Sequence, residues 1–258
     1  MRQSSFFLYV VILGMVVTGC VKERRSLCPC LLRLDFSKLD TSIVSDARVN
    51  IVGPDRYVYD ESLGAECFDE EVVVRVPQGD CMLCVYSGEQ GLAVPDKGLY
   101  IPYGEDCPPV YMSASYLNTE CEQYKKEVAL WKNHCQLSIC VEDAEHFPFG
   151  LAVRGSVAGY GANGFPIKGD FFYDVEEFSD QAWVMSVPRQ TDNSLVLEVN
   201  DGTAVLKTFA LGEYIYASGY DWSAIELEDI TVGIDYTRTK LRVSVLGWDE
   251  VYEFDVVI

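Results

Sequence analysis

Positive charge and histidine are what this chain has least of. Against 40 acidic side chains stand 20 Lys and Arg and 2 His, for a formal net charge of −20. With no extended Lys/Arg-rich run there is no electrostatic footprint for a phosphate backbone, which excludes nucleic acid as a partner. His134 and His146 stand in no His-Glu-x-x-His arrangement, so a zinc-hydrolase site has no support. A Gly-x-Ser-x-Gly elbow is also missing, and with it the usual setting for a serine nucleophile. Beyond the N-terminus no apolar stretch reaches the roughly 18 residues that suggest a membrane-spanning helix. Tandem repeats and low-complexity linkers are absent, and helical periodicity is scarce. What is abundant is apolar material: 49% of residues are hydrophobic and 12% aromatic, enough to bury a substantial core and to exclude disorder.

The N-terminus carries the most specific signal. Met1-Arg2-Gln3 is short and basic, and Phe6 to Val17 is an uncharged apolar run. At about a dozen residues that run fits the core of a secretory signal better than a bilayer span. Val17-Thr18-Gly19-Cys20 follows, small residues leading into a cysteine. The pattern is similar to the lipobox of bacterial lipoproteins, in which the thiol takes a diacylglyceryl group and the peptide bond before it is cut. The expectation is a signal peptide over 1–19, lipidation at Cys20 and a tether over 20–30. Two or three acyl chains anchor stably, whereas one is marginal.

An exported chain matures in an oxidising compartment, so the nine cysteines after Cys20 are first disulfide candidates. Nine is odd, so at least one thiol stays free or pairs with another chain. Cys28-Pro29-Cys30 and Cys81-Met82-Leu83-Cys84 invite a zinc or a redox reading. Cys81 to Tyr86 reads as a strand, however, and residues three apart on a strand point to opposite faces. Pairing is not specified by spacing.

From Leu31 onward the hydrophobic period is near two, which predicts strands with one buried face. Val72–Val76 and Cys81–Tyr86 flank a Pro77-Gln78-Gly79-Asp80 turn; Leu195–Val199 and Ala204–Phe209 flank Asn200-Asp201-Gly202, the clearest hairpin. Ile230–Tyr236 and Lys240–Leu246 alternate around Thr237-Arg238-Thr239, and Val251–Ile258 makes a last strand. Cys121–Trp131 can also be drawn as an amphipathic helix; with strand continuing at Gln136–Val141, 121–135 reads as a crossing between two domains. A short helix fits Trp222–Leu227. The whole predicts an all-β protein of sandwiches.

Other constellations carry little chemistry. Gly159-Tyr160-Gly161-Ala162-Asn163-Gly164 matches the dinucleotide pattern G-x-G-x-x-G, but that function needs a helix at its end, and Phe165-Pro166-Ile167 opens none. Acidic clusters at Asp69-Glu70-Glu71 and Glu176-Glu177 read as solvated loop faces rather than a glycosidase pair. No catalytic residue, metal ligand, cofactor or small-molecule substrate is expected, and the chain is read as a non-enzyme.

Several stretches together resemble one family: the lipobox ending at Cys20, Cys28-Pro29-Cys30-Leu31-Leu32-Arg33-Leu34-Asp35-Phe36, the Val76-Pro77-Gln78-Gly79 turn, Lys126 to Val141, and Leu241-Arg242-Val243-Ser244-Val245-Leu246-Gly247-Trp248-Asp249. The sequence resembles the fimbrial anchor subunits of Bacteroidales, the minor fimbrillin lipoproteins at the base of type V pili. That resemblance implies two tandem transthyretin-like β-sandwich domains, expected over 31–128 and 129–258. It also implies an outer-membrane lipid anchor with exposure at the cell surface, and fimbrial subunits as partners joined by β-strand addition. The implied role is to end the pilus and limit its length. The alternative is a surface glycan- or protein-binding lipoprotein, since Tyr-rich surfaces bind sugars and proteins.

Overall fold

A computed structural model describes residues 28–88, 93–94, 98–141, 147, 149–161, 163–176, 178–179, 182–235, 240–245 and 251–255. The architecture follows from strand alternation. In β1 (Cys30–Asp35), Cys30, Leu32 and Leu34 point into a core while Leu31, Arg33 and Asp35 point outward. The strands β2 (Asp46–Val52), β3 (Val58–Gly64), β4 (Glu71–Val76), β5 (Asp80–Gly88), β6 (Ala93–Val94), β7 (Gly98–Tyr100), β8 (Val110–Asn118), β9 (Gln123–Glu127) and β10 (Trp131–Lys132) follow. One sheet has the order β4-β1-β9 and faces another of order β10-β8-β5-β2-β3. Leu32, Leu34, Phe36, Val49, Ile51, Val76 and Leu83 pack between them, each such buried side chain contributing about 1.5–3 kcal/mol.

The second half repeats the plan. β11 (His134–Val141), β12 (Gly150–Tyr160), β13 (Pro166–Asp174), β14 (Phe178–Ser179), β15 (Ala182–Pro188), β16 (Val196–Asn200) and β17 (Val205–Phe209) precede a helix, α1 (Leu211–Ala217). β18 (Ile230–Asp235), β19 (Lys240–Val245) and β20 (Val251–Asp255) complete it. Their sheets run β14-β15-β11-β18-β19-β20 and β17-β16-β12-β7-β6, with β13 on the other edge of β12. Leu137, Ile139, Val153, Met185, Leu197 and Val232 fill the core between them. In both halves the first strand has an antiparallel neighbour on one side and a parallel one on the other: β4 and β9 flank β1, and β15 and β18 flank β11.

The hairpin of β16 and β17 and the pairing of β18 with β19 match the alternation in the sequence. Two expectations need correction. Residues 123–127 are strand, not helix or crossing: β9 runs parallel to β1 with Leu31 opposite Gln123, and Tyr124 joins the first core. A five-residue Glu/Lys-containing segment has too little length to hold a helix alone, and the open edge of β1 captures its backbone. Trp222–Leu227 is not helical, because the carbonyls of Trp222 and Ala224 accept from the Arg189 guanidinium instead of from amides further along. The helix forms at Leu211–Ala217, where Leu211 and Ile215, one turn apart, enter the second core. The strand, turn and strand expected over Val72–Tyr86 are present as β4 and β5, and since β4 pairs with β1 and β5 with β2 and β8, the turn carries the chain from one sheet to the other.

Candidate binding surface at the junction

The two halves meet along a third apolar cluster: Cys84, Val110 and Met112 from β5 and β8, and Leu99 and Tyr160 from β7 and β12. The glycine motif sits here. Gly159 has φ +145, and a Cβ on it would lie 2.1 Å from the Leu99 carbonyl oxygen. Gly164 has φ +74, and its Cβ would meet that of Ala114 on β8 at 2.7 Å. The G-x-G-x-x-G match is therefore a turn between β12 and β13 whose glycines allow close backbone approach. No helix follows to hold a pyrophosphate.

Beneath the turn lies a buried polar hub. The Tyr160 hydroxyl donates to the Asn133 carbonyl and accepts from the Arg189 amide at 2.8 Å. Arg189 Nε donates to Asn133 Oδ1 at 3.0 Å, and its guanidinium also donates to the carbonyls of Lys132 at 2.7 Å, Ala224 at 2.7 Å and Trp222. Burial lowers the Arg189 pKa from its ordinary value, yet the carbonyl cage satisfies the cation without a carboxylate. His134, also buried, accepts from the Val110 amide at 3.1 Å through Nδ1 and meets Tyr111 edge-on at 5.2 Å. Its pKa is lowered by burial, so it stays neutral here.

Two clefts open on either side of the hub. One, of about 390 Å³, is lined by Met112, Ala114, Lys126, Trp131, Asn163 and Phe165. The other, of about 540 Å³, is lined by Trp131, Asn193, Tyr216, Tyr220, Asp221 and Trp222. Trp131 is 42% exposed at the rim of both, with the Arg189 guanidinium 5.7 Å from its ring centroid. Among the described residues neither Trp222 Nε1 nor Gln190 Oε1 has a hydrogen-bond partner. Aromatic faces beside amide and carboxylate groups suit an extended peptide or a sugar ring.

The residues singled out in the sequence are scattered. Cys20 and His146 lie outside the described residues, as does Glu177. Glu71 lies in an ion-pair ladder with Arg33 at 3.0 Å and Lys125 at 2.9 Å, and Lys125 reaches Asp35 at 2.9 Å. These partners hold the Glu71 and Asp35 carboxyls below their usual range, which is structural pairing, not acid–base poise. Asp69, Glu70 and Glu176 are exposed. None of the nine cysteines after Cys20 is bonded to another in this structure. Cys81 faces the first core and Cys84 the junction, as strand alternation requires, and no group of three or more His, Cys, Asp or Glu among the described residues is placed to hold a metal. Of the hub residues, Tyr160 fills a variable position of the glycine pattern and Asn133 lies within the Lys126–Val141 stretch, but neither pattern marks them as partners of Arg189; only the fold brings the three together.

No family model matches the sequence, and no curated protein sequence does. Solved structures do. A candidate polysaccharide-binding protein from Bacteroides thetaiotaomicron superposes with a TM-score of 0.63 at 10% identity, covering 87% of this chain and 98% of that one. The fimbrial anchor protein Mfa2 from Porphyromonas gingivalis gives 0.58 at 11% identity, covering 86% and 98%. A candidate adhesin from Bacteroides thetaiotaomicron gives 0.56 at 12% identity, covering 86% and 97%. Over nearly the full length of each of these proteins, what this chain shares with the candidate polysaccharide-binding protein, the fimbrial anchor protein and the candidate adhesin is their all-β fold.

Proposed function

We propose that the chain is an outer-membrane lipoprotein, lipidated at Cys20, that serves as an anchor or assembly subunit of a surface pilus. In this reading 1–19 is removed, 20–30 is the tether, and 31–128 and 129–258 are the two sandwich units. The observation that carries the proposal is the pairing of a lipobox-like N-terminus with a fold shared along 98% of a fimbrial anchor protein. An anchor needs no catalytic group: acyl chains resist extraction from the membrane, and a neighbour's strand added to a sheet edge supplies main-chain hydrogen bonds. The edge strand β17 supports that mode, because the consecutive Val205 and Leu206 point to opposite faces and are each 51% exposed. Soluble proteins usually blunt such an edge with charge; the one charge on β17, Lys207, has its ammonium over the Phe209 ring, 4.8 Å from the centroid.

The test is a mild-detergent extraction of outer membranes from cells fed labelled palmitate, comparing the native chain with Cys20→Ala. The native chain should carry label and bring down a polymerising subunit, while the variant loses label and sheds pili into the medium. An unlabelled native chain that purifies alone would sink the proposal. A second reading, a glycan-binding surface lipoprotein, is favoured by the exposed Trp131 at the rim of both clefts and by Tyr216 and Trp222 lining the larger one. Co-purification with polysaccharide instead of a pilus subunit would select it.

A further inference from the structure

The thiols are the largest group of reactive side chains that the proposed role leaves unused, and two of them touch. Cys30 is the first residue of β1 and Cys121 lies just before β9; their Sγ atoms are 3.8 Å apart across a sequence separation of 91. The backbone is already locked beside them, with the Leu31 amide donating to the Glu122 carbonyl at 2.9 Å and Leu31 in register with Gln123. Cys30 is fully buried and Cys121 is half-buried at the sheet edge. We propose that Cys30 and Cys121 form a disulfide in the exported protein, stapling the strand that leaves the tether to the strand beside it.

The proposal rests on export, because a cytosolic thiol pool would keep the pair reduced. The oxidant is a dithiol-disulfide donor of the cell envelope. Cys121, the accessible thiol, attacks as thiolate on a donor sulfur, and one donor sulfur leaves as thiolate. Cys30 then attacks the Cys121 sulfur; the S30–S121 bond forms, the S121–donor bond breaks, and the second donor sulfur leaves. The two protons lost from Cys30 and Cys121 end on the donor, which is reduced to its dithiol as the pair is oxidised. Burial, and then the contact with Cys121, push the Cys30 thiol up to about 11. Fully buried while Cys121 lies at the sheet edge, Cys30 is out of a donor's reach until Cys121 has reacted, which makes it the resolving thiol.

The position gives the staple its purpose. Tension on a lipid-anchored subunit enters the fold through the tether and reaches β1 at Cys30. A bond there passes the load to Cys121, three residues beyond the end of β8 and its long ladder with β5. β1 then cannot peel from its sheet one hydrogen bond at a time.

The test uses the full-length protein. Cells are quenched in acid, fractionated and alkylated with N-ethylmaleimide, and the protein is digested and read by mass spectrometry with and without reductant. A Cys30–Cys121 linked peptide in the envelope fraction, lost on reduction, is the expected result. Both cysteines alkylated in the envelope fraction, or Cys30 linked instead to Cys81, would overturn the proposal. If the protein is found in the cytosol with free thiols, the export reading has failed, and the purified chain treated with oxidised glutathione decides the geometry. Closure of the same pair supports it, and failure to close overturns it. Cys121→Ser should leave Cys30 open to maleimide after denaturation without reductant, whereas native Cys30 should stay blocked.

Discussion

Both halves of the chain start a sheet in the same way and finish it differently. In the second half the parallel neighbour β18 is itself paired with β19, and β19 with β20, so the ladder beginning at β11 lies in mid-sheet. In the first half β9 is the edge, and nothing pairs its far side among the described residues. The thiols at the matching places differ accordingly. Cys135 near the start of β11 donates to the Glu228 carbonyl at 3.3 Å, two residues before β18, while Cys30 meets a second thiol two residues before β9. The first half also carries the ladder of Arg33, Asp35, Glu71 and Lys125 over the outer face of β4, β1 and β9. Where strands run out, side chains take over the work of holding the edge.

Four experiments sharpen or break this contrast, in order of expected effect. Arg189→Met strips partners from the carbonyls of Trp222, Ala224 and Lys132 and from Asn133 Oδ1. At roughly 1–3 kcal/mol for each orphaned group, partly relieved by removing a buried cation, the loss should be on the order of 4 kcal/mol. A urea melt measures it, with a lowered midpoint and an unchanged slope. Ile230→Ala in β18 should cost about 2–5 kcal/mol, and more than Tyr124→Ala in β9, because Ile230 is buried and Tyr124 only half so. Equal losses from the two would break the contrast. Reducing an oxidised Cys30–Cys121 pair should cost about 2–4 kcal/mol, and hydrogen exchange read by segment should show faster exchange in β1, β4 and β9 with β11 and β18 unchanged.

The smallest effect is with pH. His134 has its pKa lowered by burial from 6.5, so the folded chain binds fewer protons than the unfolded one. Stability should therefore be complete above about pH 6.5, fall as pH drops through that value, and level off below the folded pKa. His134→Asn should flatten that part of the profile, whereas a slope retained in the variant assigns it elsewhere.

Strand positions were legible because alternation is a local property: Leu32 and Leu34 against Arg33 and Asp35 declare their faces without help from the rest of the chain. The edge pairing of β9 was hidden, since Glu122 to Glu127 suits a helix as well as a strand and the vacant side of β1 decides between them. The helix was misplaced for the same reason, its rival segment having its carbonyls drawn to an arginine that lies far off in sequence. The glycine motif was legible as a turn, but not as the seat of the junction, because Leu99 and Ala114 are remote neighbours. Arg189 left no signal: its partners are mostly backbone carbonyls, which any sequence possesses.

β7 has a consequence for anyone dividing the gene. Gly98–Tyr100 sits far ahead of the second half in sequence, yet Leu99 and Tyr100 pair with Tyr160 and Gly159 of β12. A recombinant fragment starting at residue 129 would leave that strand behind, exposing the end of β12 and the Tyr160 ring beside it. A cut at residue 98 keeps that pairing but tears β8 and β9 from their partners β5 and β1, so no single cut separates the halves cleanly, and the chain from β1 onward is the better choice for crystallisation.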